Sequence, residues 1–196
     1  MLINEEREAK LKAVGSRIRN CARCKLHRER TRAVPGTGPA DADIVFIGEG
    51  PGAQEDEEGL PFVGRSGRYL DQLLESIGLD REKVFITNVV KCRPPANRDP
   101  HVAEVEACTP YLDQQLALIQ PRLIVTLGRF AMEHFFSDGR ISEVHGQPRR
   151  IENAIYLPLY HPAAALYRGS LRDVVEQDFR RILELLKSDG RSSALR

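Results

Sequence analysis

Residues 43–50, DIVFIGEG, decide the fold. Four apolar side chains, Ile44 to Ile47, stand between Asp43 and Gly48. The run is too short for a buried helix and is bounded by turn residues, so it reads as a buried strand feeding a loop. Three further runs have the same character: KVFITNVV at 83–90, RLIVTLG at 122–128 and AIYLPLY at 154–160. Between them lie segments with helical spacing of apolar residues. Residues 66–78 begin at Ser66 and end at Gly78; residues 98–119 offer Asp99 as N-cap and Pro100 at the first helical position; residues 129–136 and 170–188 complete the set. Strands alternating with helices predict an α/β fold. It has three layers, α/β/α, around a central, mostly parallel four-stranded sheet with right-handed crossovers.

The chain of 196 residues suits one domain, 1–196, with an N-terminal helix and a cysteine-bearing segment (1–32) packed on it and a disordered tail at 190–196. Acids near the start, no apolar leader and no run of about 18 apolar residues predict a soluble, cytoplasmic protein, without a membrane partner and monomeric. The net charge is only +1, which argues against a general polycationic coat for nucleic acid, yet charge is unevenly placed. Nine Lys or Arg and one acid lie between Lys10 and Arg32, and five acids without a base lie between Glu49 and Glu58. That distribution is either two solvated segments or a basic rim beside an acidic pocket.

The four cysteines are Cys21, Cys24, Cys92 and Cys108. A cytosolic chain keeps its thiols reduced, and this CxxC pair follows a helix instead of joining a strand to a helix, so a ligand set is favoured over a redox pair. Two isolated partners fit an iron–sulfur cluster better than the paired knuckles of a zinc ribbon; zinc and unliganded thiols stay open as alternatives.

In parallel sheets ligands bind beyond the carboxyl ends of the strands. That rule gathers GEGPG (48–52), Asn88 with the residues after it, and YHPAAAL (160–166). The glycine loop is not a P-loop, because no Gly-Lys-Ser/Thr follows, and its acids would repel a pyrophosphate. Asn88 offers a coplanar donor and acceptor that match the edge of a nucleobase. Phe62 can stack on a base, a contact worth about 1–3 kcal/mol. His161 is a candidate hydrogen-bond donor or electrophile. One flat apolar wall, one amide and one imidazole describe a nucleobase site.

The ordered set CARC, GEGPG, PFVGRSG, ITNVVKCRPP, the EAC helix and YHPAAAL, spread over nearly the whole chain, resembles the family 4 uracil-DNA glycosylases, the iron–sulfur branch of that superfamily. The resemblance implies the uracil-DNA glycosylase fold and a monofunctional DNA glycosylase. Such an enzyme flips uracil out of single- or double-stranded DNA and hydrolyses the N-glycosidic bond, releasing free uracil and leaving an abasic site for base excision repair. It implies a 4Fe-4S cluster held by Cys21, Cys24, Cys92 and Cys108, which would order loops carrying Arg23, Lys25, Arg93 and Arg98 against DNA. Its carried-over roles give His161 as donor to uracil O2, Asn88 as reader of N3–H and O4, and Phe62 as the stacking ring. The backbone of Glu49 and Gly50 adds N–H donors, Gly52 belongs to the same binding loop, and Glu55 stands near the C5 edge as a block against thymine.

The best-studied uracil-DNA glycosylases position water with an Asp where this chain has Gly50, as is usual in family 4. The water-positioning group is therefore ranked Glu49, then Glu55, then Asn88. Leu166 and Tyr167 are candidate wedge residues, Arg168 and Arg172 candidate phosphate partners, and Ser66 and Gly67 a candidate phosphate grip at a helix N-terminus. Two other readings compete. One is a non-enzymatic iron–sulfur DNA-binding or electron-transfer module on the same fold. The other is a covalent uracil-trapping relative, disfavoured because 88–108 runs straight into the cysteines without a basic, histidine-containing insertion.

Overall fold

The computed structural model describes residues 3–136 and 138–188. The expected disordered tail at 190–196 lies outside the described residues.

The four apolar runs form four parallel strands: β1 (Ile44–Gly48), β2 (Phe85–Asn88), β3 (Leu123–Leu127) and, later in the chain, β5 (Ala154–Leu159). The sheet has five strands, not four, in the order β2-β1-β3-β5-β4. The additional strand β4 (Arg149–Ile151) pairs antiparallel with β5 across a turn at Glu152 and Asn153, where Glu152 takes φ 49°. Its sequence hid it. Three residues, two of them arginine and the segment mostly exposed, give no apolar alternation, and charge on an edge strand is what keeps that edge from pairing with another chain.

Side chains of β1 alternate between two cores, the period-two pattern of a strand covered on both faces. Ile44 and Phe46 join Leu70, Leu73, Leu74, Phe179 and Ile182; Val45 and Ile47 join Leu11, Val14, Ile18, Leu112 and Ile119. The first face is therefore covered by α3 (Arg65–Ser76), α7 (Pro162–Tyr167) and α8 (Arg172–Ser188). The second is covered by α1 (Asn4–Arg19), α4 (Val102–Ile119) and α5 (Arg129–Phe135). The three-layer arrangement stands. Phe46 and Phe179, both with no exposed surface, stack at 6.0 Å through the first core. Each such side chain contributes about 1.5–3 kcal/mol by leaving water.

Several helix boundaries differ from expectation for local reasons. The acidic stretch 53–58 is not loop but a short helix, α2 (Ala53–Glu58), ended by Gly59 in the left-handed conformation (φ 74°). Helix α3 starts one residue before Ser66, with Gly64 as its cap. Helix α4 starts at Val102, not beside Asp99: the Glu104 carboxylate accepts from the His101 N–H at 2.8 Å and closes the first turn there, while Asp99 pairs with Arg129 at 2.7 Å. A short helix α6 (Ile141–Val144) precedes β4. Among the described residues no helix is long and apolar enough to cross a membrane.

Candidate active site

Parallel strands end on a common edge, and register fixes which ends meet. Gly48 is the register partner of Asn88, and β3 and β5 run on into Gly128 and His161 beside them. Above this edge opens a cleft of about 420 Å³. All seven residues read from the sequence as base-binding line it: Glu49, Gly50, Gly52, Glu55, Phe62, Asn88 and His161.

A Cβ placed on Gly48 would lie 2.5 Å from Asn88 Oδ1 and 2.7 Å from Phe62 Cζ. Only glycine at the end of β1 lets the amide and the ring meet there. Asn88 is 2% exposed, and among the described residues no group bonds its side-chain amide, which leaves a donor and an acceptor side by side facing the cleft. Phe62 sits at φ 53°, a left-handed conformation costly for a bulky side chain. It is held there from two sides. Arg81 donates to the Pro61 carbonyl at 2.5 Å, the Phe62 carbonyl at 2.8 Å and Asp71 at 2.8 Å. Gly67, where a Cβ would lie 1.8 Å from the Phe62 carbonyl oxygen, lets α3 close against the turn. Gly67 is thus buried under Phe62 and does not line the cleft, whereas Ser66 does.

Glu55 has a structural task that the sequence reading missed. One carboxylate oxygen accepts from the Gly52 N–H at 3.1 Å, the other from Val63 at 3.0 Å and Gly64 at 2.9 Å. It ties both ends of the loop that delivers Phe62. Asp56 is 4% exposed and accepts from the backbone of Thr31 and Arg32, so the acidic stretch also anchors the basic N-terminal segment. These two acids are not solvated charges; they satisfy loop amides.

The His161 ring stacks on Phe62 with centroids 5.5 Å apart. Its Nδ1 accepts from the Ala163 N–H at 3.1 Å, which puts the proton of the neutral ring on Nε2. Close packing disfavours the charged form and pushes its pKa down to about 4, against a small opposing pull from Glu55. Glu49 moves the other way: partial burial and then Asp99 raise its carboxyl above the usual range, opposed by Arg129. The edge therefore carries a neutral imidazole donor and a carboxylate that holds its proton more readily than usual.

The rim residues divide. Tyr167 lines the cleft and is 83% exposed, whereas Leu166 packs against the first core. Arg168 and Arg172 are exposed but do not line the cleft. Three lining residues outside the expected base-binding set, Pro94, Asn97 and Arg98, come from the turn after Cys92, with Ala96 and Asn97 both near φ 54°. Arg98 forms two 2.8 Å contacts with the Glu104 carboxylate, so its charge is already matched.

The same turn leads to the thiols. Cys21, Cys24, Cys92 and Cys108 line one pocket beside the cleft-bearing segment, although among the described residues no three His, Cys, Asp or Glu side chains are gathered tightly enough to hold a single metal ion. N–H groups point at the sulfurs: Arg30 Nη1 to Cys92 at 3.0 Å, the Lys91 backbone to Cys108 at 3.3 Å and the Arg23 backbone to Cys21 at 3.5 Å. Burial pushes the Cys92 thiol up to about 11, partly offset by Arg30, and raises Cys24 and Cys108. Lys91, 1% exposed, lines the pocket too, and burial lowers its pKa to about 8.

A sequence model of the uracil DNA glycosylase superfamily matches residues 35–187. Type-4 uracil-DNA glycosylases are similar along most of their length. The protein from Sulfurisphaera tokodaii is 48% identical over 185 residues, 89% of this chain and 84% of the relative. That from Archaeoglobus fulgidus is 47% identical, covering 86% and 89%, and that from Thermotoga maritima 43% identical, covering 94% and 98%.

The His161 assignment has a direct check. Its folded pKa lies below the unfolded value of about 6.5, so the unfolded chain binds the extra proton first. Its contribution to stability is present above about pH 6.5 and is lost as pH falls from there to about 4. Nitrogen-15 NMR of the imidazole should show a neutral ring, protonated at Nε2, down to about pH 4; a midpoint near 6.5 would contradict it.

Proposed function

The chain belongs to the uracil DNA glycosylase superfamily, and we propose that it releases uracil from DNA by hydrolysing the N-glycosidic bond, as a type-4 uracil-DNA glycosylase. The observation that carries this reading is the convergence of an unbonded Asn88 amide, the Phe62 ring and a neutral His161 with its proton on Nε2 at one strand edge.

Breaking the bond leaves negative charge on the base, chiefly at O2, and positive character on the sugar, so a donor aimed at O2 is the main demand. In this reading the His161 Nε2–H supplies it. A neutral imidazole serves better than a charged one, because it donates without transferring its proton to the departing base. The amide of Asn88 accepts from N3–H and donates to O4; cytosine reverses that pattern and leaves buried groups unpaired. Phe62 takes the face of the base. Glu49 is the group best suited to position the water, since Glu55 has its oxygens engaged by three loop amides. A base inside a duplex is beyond reach of such a cleft, so the nucleotide is flipped out, with exposed Tyr167 at the rim as the wedge and Arg168, Arg172 and the α3 start near Ser66 as backbone contacts. Single strands cost least to engage.

The thiol pocket fits an iron–sulfur cluster: four sulfurs from three chain segments, each of three accepting an N–H bond, is a donor set suited to an anionic tetrathiolate group. Cys21, Cys24, Cys92 and Cys108 would hold a 4Fe-4S cluster, whose contribution when bound is to cross-link the N-terminal segment, the turn after β2 and α4. The named activity of the relatives disfavours a purely non-enzymatic DNA-binding module.

The purified protein, with EDTA present, should produce alkali-sensitive sites in oligonucleotides containing one uracil and none in a thymine–guanine mismatch. His161→Ala should lower kcat about 10²–10³-fold with iron content unchanged, as removal of one oxyanion donor does; unchanged turnover would remove His161 from its role. Excision should also fall as pH drops through the raised pKa of Glu49, where its carboxylate takes up a proton. Glu49→Gln should lose that limb along with most of the rate, and a variant retaining both would exclude Glu49 as the water-positioning group.

A further inference from the structure

Lys91 is buried and unused by the reaction described above. Its ammonium has three N–H donors, and each has an acceptor: Thr87 Oγ1 at 2.6 Å, the Asn88 carbonyl at 2.7 Å and Gln115 Oε1 at 2.7 Å. Among the described residues no carboxylate pairs with it. A buried amine whose three partners are backbone and side-chain oxygens of different segments is costly to desolvate, and what it supplies is the position in which those oxygens are held.

The acceptors lie where the site and the thiol pocket join. Thr87 and Asn88 are consecutive in β2, so their side chains point to opposite faces. Thr87 faces Gln115 of α4, while the Asn88 amide enters the cleft. By binding the Thr87 hydroxyl and the Asn88 carbonyl together, the ammonium fixes, from the far face, the peptide that carries the amide. Thr87 and Gln115 in turn both donate to the Pro35 carbonyl, at 3.0 and 2.7 Å. The backbone of Lys91 completes the junction: its N–H donates to Cys108 Sγ, its carbonyl accepts from Val34 at 2.7 Å, and Cys92 is the next residue. The side chain of Lys91 thus reaches β2 and α4, while its backbone contacts Cys108 and Val34 and its next residue is Cys92.

We propose that Lys91 is the positioning residue for the Asn88 amide and the link through which the thiol-bearing segments set base recognition. The proposal rests on the reading of Asn88 as the group that recognises uracil. Lys91 touches neither base nor sugar. It selects one orientation of the strand end, and its loss removes the Lys91 donor from the buried Asn88 carbonyl and leaves Gln115 Oε1 with only the 3.5 Å Thr87 hydroxyl, so that the peptide turns to find a replacement.

The test compares Lys91→Met with the wild type in three measurements: excision of uracil from a single-stranded oligonucleotide, binding of free uracil, and affinity for the same oligonucleotide bearing a tetrahydrofuran abasic site. The expected result is a loss of at least about tenfold in excision and in uracil binding, with abasic-site affinity unchanged. A folded variant with unaltered uracil binding overturns the proposal, and so does a parallel fall in uracil and abasic-site affinity, which marks general damage. If Lys91→Met does not fold, Gln115→Leu removes only the α4 anchor and is held to the same pattern. Adding Lys91→Met to Cys108→Ser should cost little more than Cys108→Ser alone; fully multiplicative losses contradict the link to the thiols. A wild-type protein that releases no uracil sinks the glycosylase reading itself, which the excision control separates from a failure of Lys91.

Discussion

The missing side chain at Gly48 is the constraint on which the site depends. β1 ends there, opposite Asn88 in register, and any Cβ would occupy the space into which Asn88 and Phe62 project. Closely packed interiors do not absorb such an intrusion; an added methyl forces neighbouring side chains off their rotamers at a cost of about 1–3 kcal/mol. Here the neighbours are the two groups that must keep their geometry. The strand edge thus imposes a condition on the loop above it, and the loop is built to meet it, with Phe62 strained at φ 53° and clamped by Arg81 and Gly67.

The same economy appears in the acids of that loop. Glu55 and Asp56 stand in a run that looks solvated, yet their carboxylates collect backbone N–H groups from Gly52, Val63, Gly64, Thr31 and Arg32. Charge-assisted bonds to backbone amides replace the ladder bonds that an irregular loop lacks. Below β2 the division is similar. Lys91 and Gln115 hold the strand end from one face, and the thiols lie immediately beyond.

Much of this was legible in the sequence because it is written in local pattern. Short apolar runs bounded by turn residues revealed the four parallel strands, and the strand-end rule then gathered Glu49, Gly50, Gly52, Asn88 and His161; Phe62 joined them as an aromatic in the same loop, and Glu55 only through the family resemblance. What escaped was either too short to carry a period or set by partners far away in the chain. β4 has three residues and two arginines; α2 has six residues, all polar after Ala53, whose helix depends on Glu55 reaching back to Gly52. The clamp from Arg81 to Phe62 spans 19 residues and the contact from Lys91 to Gln115 spans 24, and neither leaves a mark in composition. At Gly67 the sequence suggests a phosphate grip at a helix start, and the second use of that glycine, close packing of α3 against the Phe62 carbonyl, is set by a contact the local pattern does not carry.

The most direct test of this account is kcat/KM for excision of uracil from a single-stranded oligonucleotide by Gly48→Ala, normalised to the folded fraction measured by circular dichroism. Displacement of Asn88 and Phe62 by one methyl predicts a fall of about 10²-fold, since misplacement of positioning groups by about 1 Å carries that penalty. Wild-type kcat/KM in the folded variant would contradict the claim that the end of β1 sets the geometry of the site.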